Sequence, residues 1–356
     1  MGLTPQPGDL VLGGQSSLHG MGLVLGGVEG ARRRLQSPDT AVRLAVIPEL
    51  PQYGSAGLDL LIQALASNTD WGVRLTAWKT LSLLSDPKAQ EAAATLSPFR
   101  PVGGSKGVLV AYRRGERDFS FAELGDACLA EATLGGCSFI QANLKGSNLQ
   151  KANLNGATLQ LADLRWANFS GSKLSGAHFE EADLRGAILL EVKVSGTSFR
   201  QAQVSTETQM DPKVRLIYTL QNQGGDRQEL GGVDLNKADL SRIRLVKSNL
   251  ERAGLVGTDF RGSLLSQSIL SEANLQRADL RGADLRGADL RKANLHRANL
   301  QGANLQQVDL TGADVSRANL SQANLTQAKI DGLRYSEAQV TGIIFPDGTP
   351  HKPWWW

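Results

Sequence analysis

The sequence predicts a solenoid of five-residue repeats in two segments, preceded by a small α-helical domain. Three observations carry this. An apolar residue stands at every fifth position from Phe119 to Val204, eighteen times without a polar exception. The spacing resumes one residue out of phase at Leu230 and runs twenty-four times to Phe345. Before residue 100 the period of five is absent and helical apolar spacing takes its place. A strict five fits neither the 3.6 of a helix nor the 2 of a strand, so it marks an internal repeat.

Residues 1–35 form a Gly-rich segment in which Leu10-Val11-Leu12-Gly13-Gly14 is echoed by Leu23-Val24-Leu25-Gly26-Gly27. Asp9 and the glycines interrupt any export-type apolar core, and no run reaches the length of a membrane span. The Gly26-Gly27-Val28-Glu29-Gly30 run lacks phosphate-loop spacing and reads as a turn before a helix. Over 36–106, Ser37-Pro38-Asp39-Thr40-Ala41-Val42-Arg43-Leu44 is matched thirty-one residues later by Asn68-Thr69-Asp70-Trp71-Gly72-Val73-Arg74-Leu75. Each is followed by helical spacing, as in Leu75, Trp78, Leu81 and Leu84. This pair resembles two degenerate HEAT-like hairpins.

Residues 107–204 are the first solenoid and 230–345 the second. Two residues before each Leu or Phe the side chain is small, as in the unbroken series Ala273, Ala278, Ala283, Ala288, Ala293, Ala298 and Ala303. The residue between is mostly Asp or Asn and faces water, so Asp284→Asn is expected to matter little. Between the solenoids, 205–229 reads as a helical linker or cap. Asp211-Pro212 starts the helix, Val214, Leu216, Ile217 and Leu220 form its apolar face, and Gly224-Gly225 ends it. Both restarts place a large polar residue, Arg117 and Gln228, at the position that is otherwise small. The tail, 346–356, ends in Trp354-Trp355-Trp356.

The A(D/N)LXX pattern over about 210 residues closely resembles the pentapeptide-repeat family. The resemblance implies a mainly β fold, a right-handed quadrilateral β-helix with one pentapeptide per side and four per coil. The central Leu or Phe would fill the axis. With coils about 4.8 Å apart, the second solenoid would be a rod roughly 29 Å long. The combination with HEAT-like helices is similar to multidomain proteins of cyanobacteria.

No catalytic constellation emerges. The carboxylates are explained by the repeat, and His19, His178, His296 and His351 are scattered without metal spacing. Cys128 is expected outward and Cys137 inward, both as unpaired thiols. No cofactor, metal or catalytic residue is assigned, and the reading is not an enzyme. The charge balance is +3 overall. Residues 230–356 hold all of the excess, with 16 basic and 13 acidic side chains. That is too little for a dedicated nucleic-acid binder but favours an acidic protein surface. Residues twenty apart stack on one face, so Arg277, Arg297 and Arg317 form a ladder, and Arg261 with Arg281 forms a second beside Asp259 and Asp279. These arginines and Trp354, Trp355 and Trp356 are the candidate protein-binding residues. The tryptophans would cap the last coil or anchor a partner.

The expected function is a structural scaffold or linker in a large assembly. The resemblance and the basic balance suggest the cyanobacterial light-harvesting antenna, the phycobilisome, with acidic phycobiliproteins as partners in photosynthesis. The rivals are a DNA mimic that binds topoisomerases, as some members of the family do, and a regulatory interaction adaptor. The expected location is cytoplasmic, or peripheral at the cytoplasmic side of the thylakoid or cell membrane through the assembly. A homodimer is the less favoured state.

Overall fold

The computed structural model describes residues 27–350. The Gly-rich leader up to residue 26 and Trp354, Trp355 and Trp356 lie outside the described residues. The chain divides into two compact units, one ending at Pro101 with Phe121–Glu123 grouped with it, and one made of the remainder.

The first unit is helical. α1 (Gly27–Leu35), α2 (Thr40–Val46), a 3₁₀ turn (Ile47–Tyr53), α3 (Gly54–Ser67), α4 (Trp71–Leu83) and α5 (Pro87–Thr95) follow one another. α1 precedes the boundary expected at residue 36, and it belongs to the helical core through buried Ala31 and the flanking Val28 and Leu35. The two matched segments act alike. Asp39 caps α2 by accepting the Ala41 N–H at 2.8 Å, and Asp70 caps α4 by accepting those of Gly72 and Val73. Asp70 also receives the Thr40 hydroxyl at 2.7 Å and the Arg43 guanidinium at 3.0 Å, which ties one hairpin to the other. Such a cap is worth about 1 kcal/mol, and Asp70 serves two elements with one carboxylate.

The second unit opens with α6 (Gly104–Arg113) and then becomes a β-helix. Parallel bridges recur at a spacing of twenty residues, from Asp118↔Ser138 to Asn324↔Ile344. Twenty residues are four pentapeptides. The central residue donates its N–H one coil onward, as Leu124 does to Asn143 O at 2.8 Å and Leu285 to Asn304 O at 2.8 Å. At each corner the second residue after the Leu adopts positive φ, from Glu131 at 59° to Arg297 at 59°. The interior is filled as the pattern predicts, with Leu285, Leu290 and Leu295 fully buried and the preceding alanines closing the walls. Arg117 and Gln228 are exposed instead of inward. A side chain too long for the narrow interior turns out at both restarts, and Arg117 lies 3.7 Å from the Tyr112 ring centroid.

At the break, α7 (Pro212–Gln223) buries Val214, Ile217 and Leu220. Asp211, read as its cap, makes no capping bond and instead accepts the Glu191 N–H at 2.6 Å. The coils do not end there. Gly196 donates to Lys237 O at 2.7 Å, and both are corner residues. Their separation of 41 residues replaces the usual twenty. The insertion therefore exceeds four pentapeptides by one residue, which is the source of the frame shift. α7 supplies what the displaced strand would have supplied. Gln221 accepts the Phe199 N–H at 2.7 Å and donates to Thr197 O and Asp239 O, while Asn222 accepts the Gln201 N–H and donates to Phe199 O. A buried backbone group left unpaired costs about 1–3 kcal/mol, so these two amides stabilise the junction well beyond their number. Gly225 passes between Leu220 and Leu245, where a Cβ would lie 2.7 Å and 2.5 Å from their methyls.

Candidate functional site

The outer surface of the second unit has two kinds of position, and they treat charge differently. On the flat walls, the residue before the Leu accepts the N–H of the residue after it. Asp289 does so with Arg291 and also holds its guanidinium as a fork, at 2.9 and 2.7 Å. The same Asp-X-Arg fork occurs at Asp259–Arg261, Asp279–Arg281 and Asp284–Arg286. The fork from Arg291 holds the Asp289 carboxyl below its ordinary range, ahead of the opposing effect of burial. Arg261 and Arg281 are therefore already engaged. Arg261 is further shared with Asp279 across the coil at 3.8 Å.

At the corners the side chain runs along the stack toward the next coil. Arg252 meets Glu272 at 2.8 Å and Arg317 meets Glu337 at 3.0 Å. Where the next corner is glycine the long side chain lies over it, as Lys292 does over Gly312 and Arg242 over Gly262. Trp166 covers Gly186 so closely that a Cβ there would come within 2.3 Å of the indole.

One corner departs from this pairing. Arg277 and Arg297 are consecutive along it, both exposed, and neither makes an ion pair or side-chain hydrogen bond among the described residues. Two coils earlier stands Lys237, also exposed and unpaired, with its stem 3.6 Å from where a Cβ on Gly257 would be. The nearby carboxylates are committed elsewhere: Asp234 to Lys213 at 2.9 Å, Asp279 to Arg281 at 2.6 Å, Asp314 to Arg334 at 3.2 Å and Glu337 to Arg317. The structure thus separates the sequence candidates. Arg277 and Arg297 form no ion pair, although Arg297 adds to the field that Arg317 exerts on Glu337, while Arg317 is held by Glu337 and Arg261 and Arg281 by their aspartates. Lys237 stands forty residues before Arg277 in the same frame, and it was missed because Gly257 interrupts the run of cations between them. Across the α7 insertion the same corner continues from Gly136, Gly156, Gly176 and Gly196.

Among the described residues no cluster of three His, Cys, Asp or Glu side chains could hold a metal. Cys128 is exposed and Cys137 buried, and burial pushes the Cys137 thiol up to about 11. The helical unit has a cleft of about 350 Å³ lined by Arg32, Arg43, Leu60, Gln63 and Asn68 among others. Arg43 is spent within it on Ser37 O, Thr40 and Asp70. Among the described residues no helix is long and apolar enough to cross a membrane.

The family model for pentapeptide repeats matches residues 122–160, 162–201, 229–267, 268–307 and 303–334. The model for HEAT repeats matches 28–97. No curated protein matches the chain. Among solved structures, the chain is similar to HetL, a pentapeptide repeat protein involved in heterocyst differentiation regulation in the cyanobacterium Nostoc. That match has 30% identity over 69% of this chain and 98% of HetL, with a TM-score of 0.28. A second Nostoc pentapeptide repeat protein is 33% identical over 30% of this chain and 85% of its own, with a TM-score of 0.21. Rfr23 from the cyanobacterium Cyanothece is 22% identical over 36% of this chain and 94% of its own, with a TM-score of 0.18. With the five-residue core, the twenty-residue ladder and a family model matched over more than half its length, this chain belongs to the pentapeptide repeat family, with HEAT repeats ahead of the pentapeptides.

Proposed function

We propose that the chain is a non-enzymatic scaffold whose second solenoid docks protein subunits of acidic surface. The observation that carries this is the corner column of Lys237, Arg277 and Arg297, cations in line along the repeat that form no ion pair, while Asp234, Asp279, Asp314 and Glu337 pair with other cations. Uncompensated like charges cost free energy in the isolated protein and gain it against an acidic partner. The fold is read as a right-handed quadrilateral β-helix, so that the twenty-residue period keeps the column on one edge. In this reading 36–106 is the HEAT-like domain, 107–204 and 230–345 are the solenoids, and 205–229 is the linker.

The finer assignment is a linker of the cyanobacterial light-harvesting antenna at the cytoplasmic side of the thylakoid, with phycobiliproteins docked. A sequence pI near 8.9 and the family resemblance support it. DNA mimicry would need a strongly negative rod, and residues 230–356 carry 16 basic against 13 acidic groups. The last described coil is less covered than the one before it. Leu333 and Val340 are half-buried and Tyr335 is 39% exposed there. Their counterparts one coil earlier, Ala313, Leu320 and Val315, are at most 1% exposed.

The test is native co-purification with mass spectrometry, wild type against Arg277→Glu/Arg297→Glu. Loss of the same acidic protein from the variant complex supports docking at this edge. An unchanged set of partners rejects it, and a set without biliproteins removes the antenna assignment alone.

A further inference from the structure

We infer that the docked partner meets this edge with an acidic α-helix lying along the stack, its carboxylates at positions i, i+7 and i+11. The inference rests on the docking reading and adds the partner's secondary structure and spacing.

The spacing of the cations is set by the coils. Arg277 and Arg297 are one coil apart, about 4.8 Å, and Lys237 and Arg277 are two coils apart, about 9.6 Å. All three share a backbone conformation, with φ of 58°, 58° and 59°, so their side chains leave the corner in the same way. Nothing intervenes between Lys237 and Arg277 except Gly257, which lets the Lys237 stem lie flat along the edge.

A helix rises about 1.5 Å per residue, so seven residues advance about 10.5 Å and four advance about 6.0 Å. At about 100° per residue, positions i, i+7 and i+11 fall within a stripe roughly 40° wide. One face of one helix therefore opposes all three cations with mismatches of about 1 Å per step, which long side chains absorb. An extended strand fits worse. Its same-face residues recur about every 6.6 Å, so it misses the step from Lys237 to Arg277 by about 3 Å whichever residue is used. The guanidiniums of Arg277 and Arg297 then accept a carboxylate each as charge-assisted pairs.

The experiment measures binding of three synthetic peptides of identical composition to the full chain by fluorescence anisotropy. One is helix-forming with Glu at i, i+7 and i+11. One is helix-forming with the three Glu on different faces. One keeps the first spacing but carries central prolines that prevent a helix. The expected result is that the first binds at least about tenfold more tightly than the others, a difference that one well-made charge-assisted contact supplies. Arg277→Gly/Arg297→Gly should abolish that preference. Equal binding of all three, lost in the variant, overturns the helical partner and leaves docking at the edge intact. Binding that ignores the variant, or tighter binding of duplex DNA than of the first peptide, overturns both. No binding by any peptide overturns the helical partner, and the co-purification then decides the docking reading separately.

Discussion

One corner of the β-helical unit changes character at the junction. Before it stand Gly136, Gly156, Gly176 and Gly196, and after it Lys237, Gly257, Arg277, Arg297 and Arg317. The backbone does not change with them, since φ is 69° at Gly176 and 59° at Arg297. Glycine is the residue suited to that conformation, and a side chain with a Cβ costs roughly 1–2 kcal/mol there. The second solenoid accepts that cost repeatedly and places like charges in line as well. The comparison teaches that the buried leucines and alanines specify the stack, while the corners are free to carry recognition. Stability and function are thus written at different positions of the same pentapeptide.

The sharpest way to break this division is through the interior. Leu285 is fully buried, and Leu285→Asp places a carboxylate where no partner exists. The expected loss is about 3–5 kcal/mol, measured by denaturant unfolding. Leu154→Asp in the first solenoid should cost a similar amount, because Leu154 is equally buried. A large inequality would mean that the two solenoids are not built alike inside.

Next in size is the junction. Gln221→Ala leaves the Phe199 N–H, Thr197 O and Asp239 O without their partner, for an expected loss of about 2–4 kcal/mol. Hydrogen exchange should rise at Phe199 and stay unchanged at Leu285. Protection that falls evenly along both solenoids would show that α7 does not act locally.

Acid should weaken the same place. Burial works against ionisation of Asp239, yet the Arg200 fork at 2.8 and 3.1 Å, with the Ser241 N–H and hydroxyl, outweighs it and holds the carboxyl below its ordinary 3.8. A carboxyl with a depressed folded value stabilises the fold above the unfolded value, and that contribution fades as pH falls through the folded one. Protection of the Gly196 amide, which bonds Lys237 across the junction, taken relative to its intrinsic exchange rate, should therefore fall below pH 3.8 and be flat above about pH 5. In Asp239→Asn that pH dependence should vanish.

Much of this was readable from the amino acids. The period of five, the small inward residues and the two frames follow from volume and polarity alone, and the likeness of the segments around Asp39 and Asp70 was visible as well. What was not read depended on contacts whose geometry the chain order does not display, some of them a coil apart. Asp211 looks like a helix cap by its neighbours and is used by Glu191, a coil away. Arg261 and Arg281 look like free charges until the fork with the preceding aspartate is built. That signal was present in the Asp-X-Arg spacing across the central Leu or Phe. Lys237 was in step with Arg277 at forty residues, but Gly257 between them breaks the run of like charge that made the ladder visible. The positive φ of the corners was signalled by glycine recurring two residues after the central Leu, but it is obscured wherever arginine, lysine or glutamine serves there instead.

The central claim is that the corner cations exist for recognition and not for the fold. Arg277→Gly/Arg297→Gly tests it most directly, with thermal unfolding and native co-purification measured on one preparation. Glycine relieves the backbone cost and removes the stacked charges, so the account predicts an unchanged or slightly higher melting temperature together with loss of the acidic partner. A clear drop in melting temperature with the partner retained would contradict it.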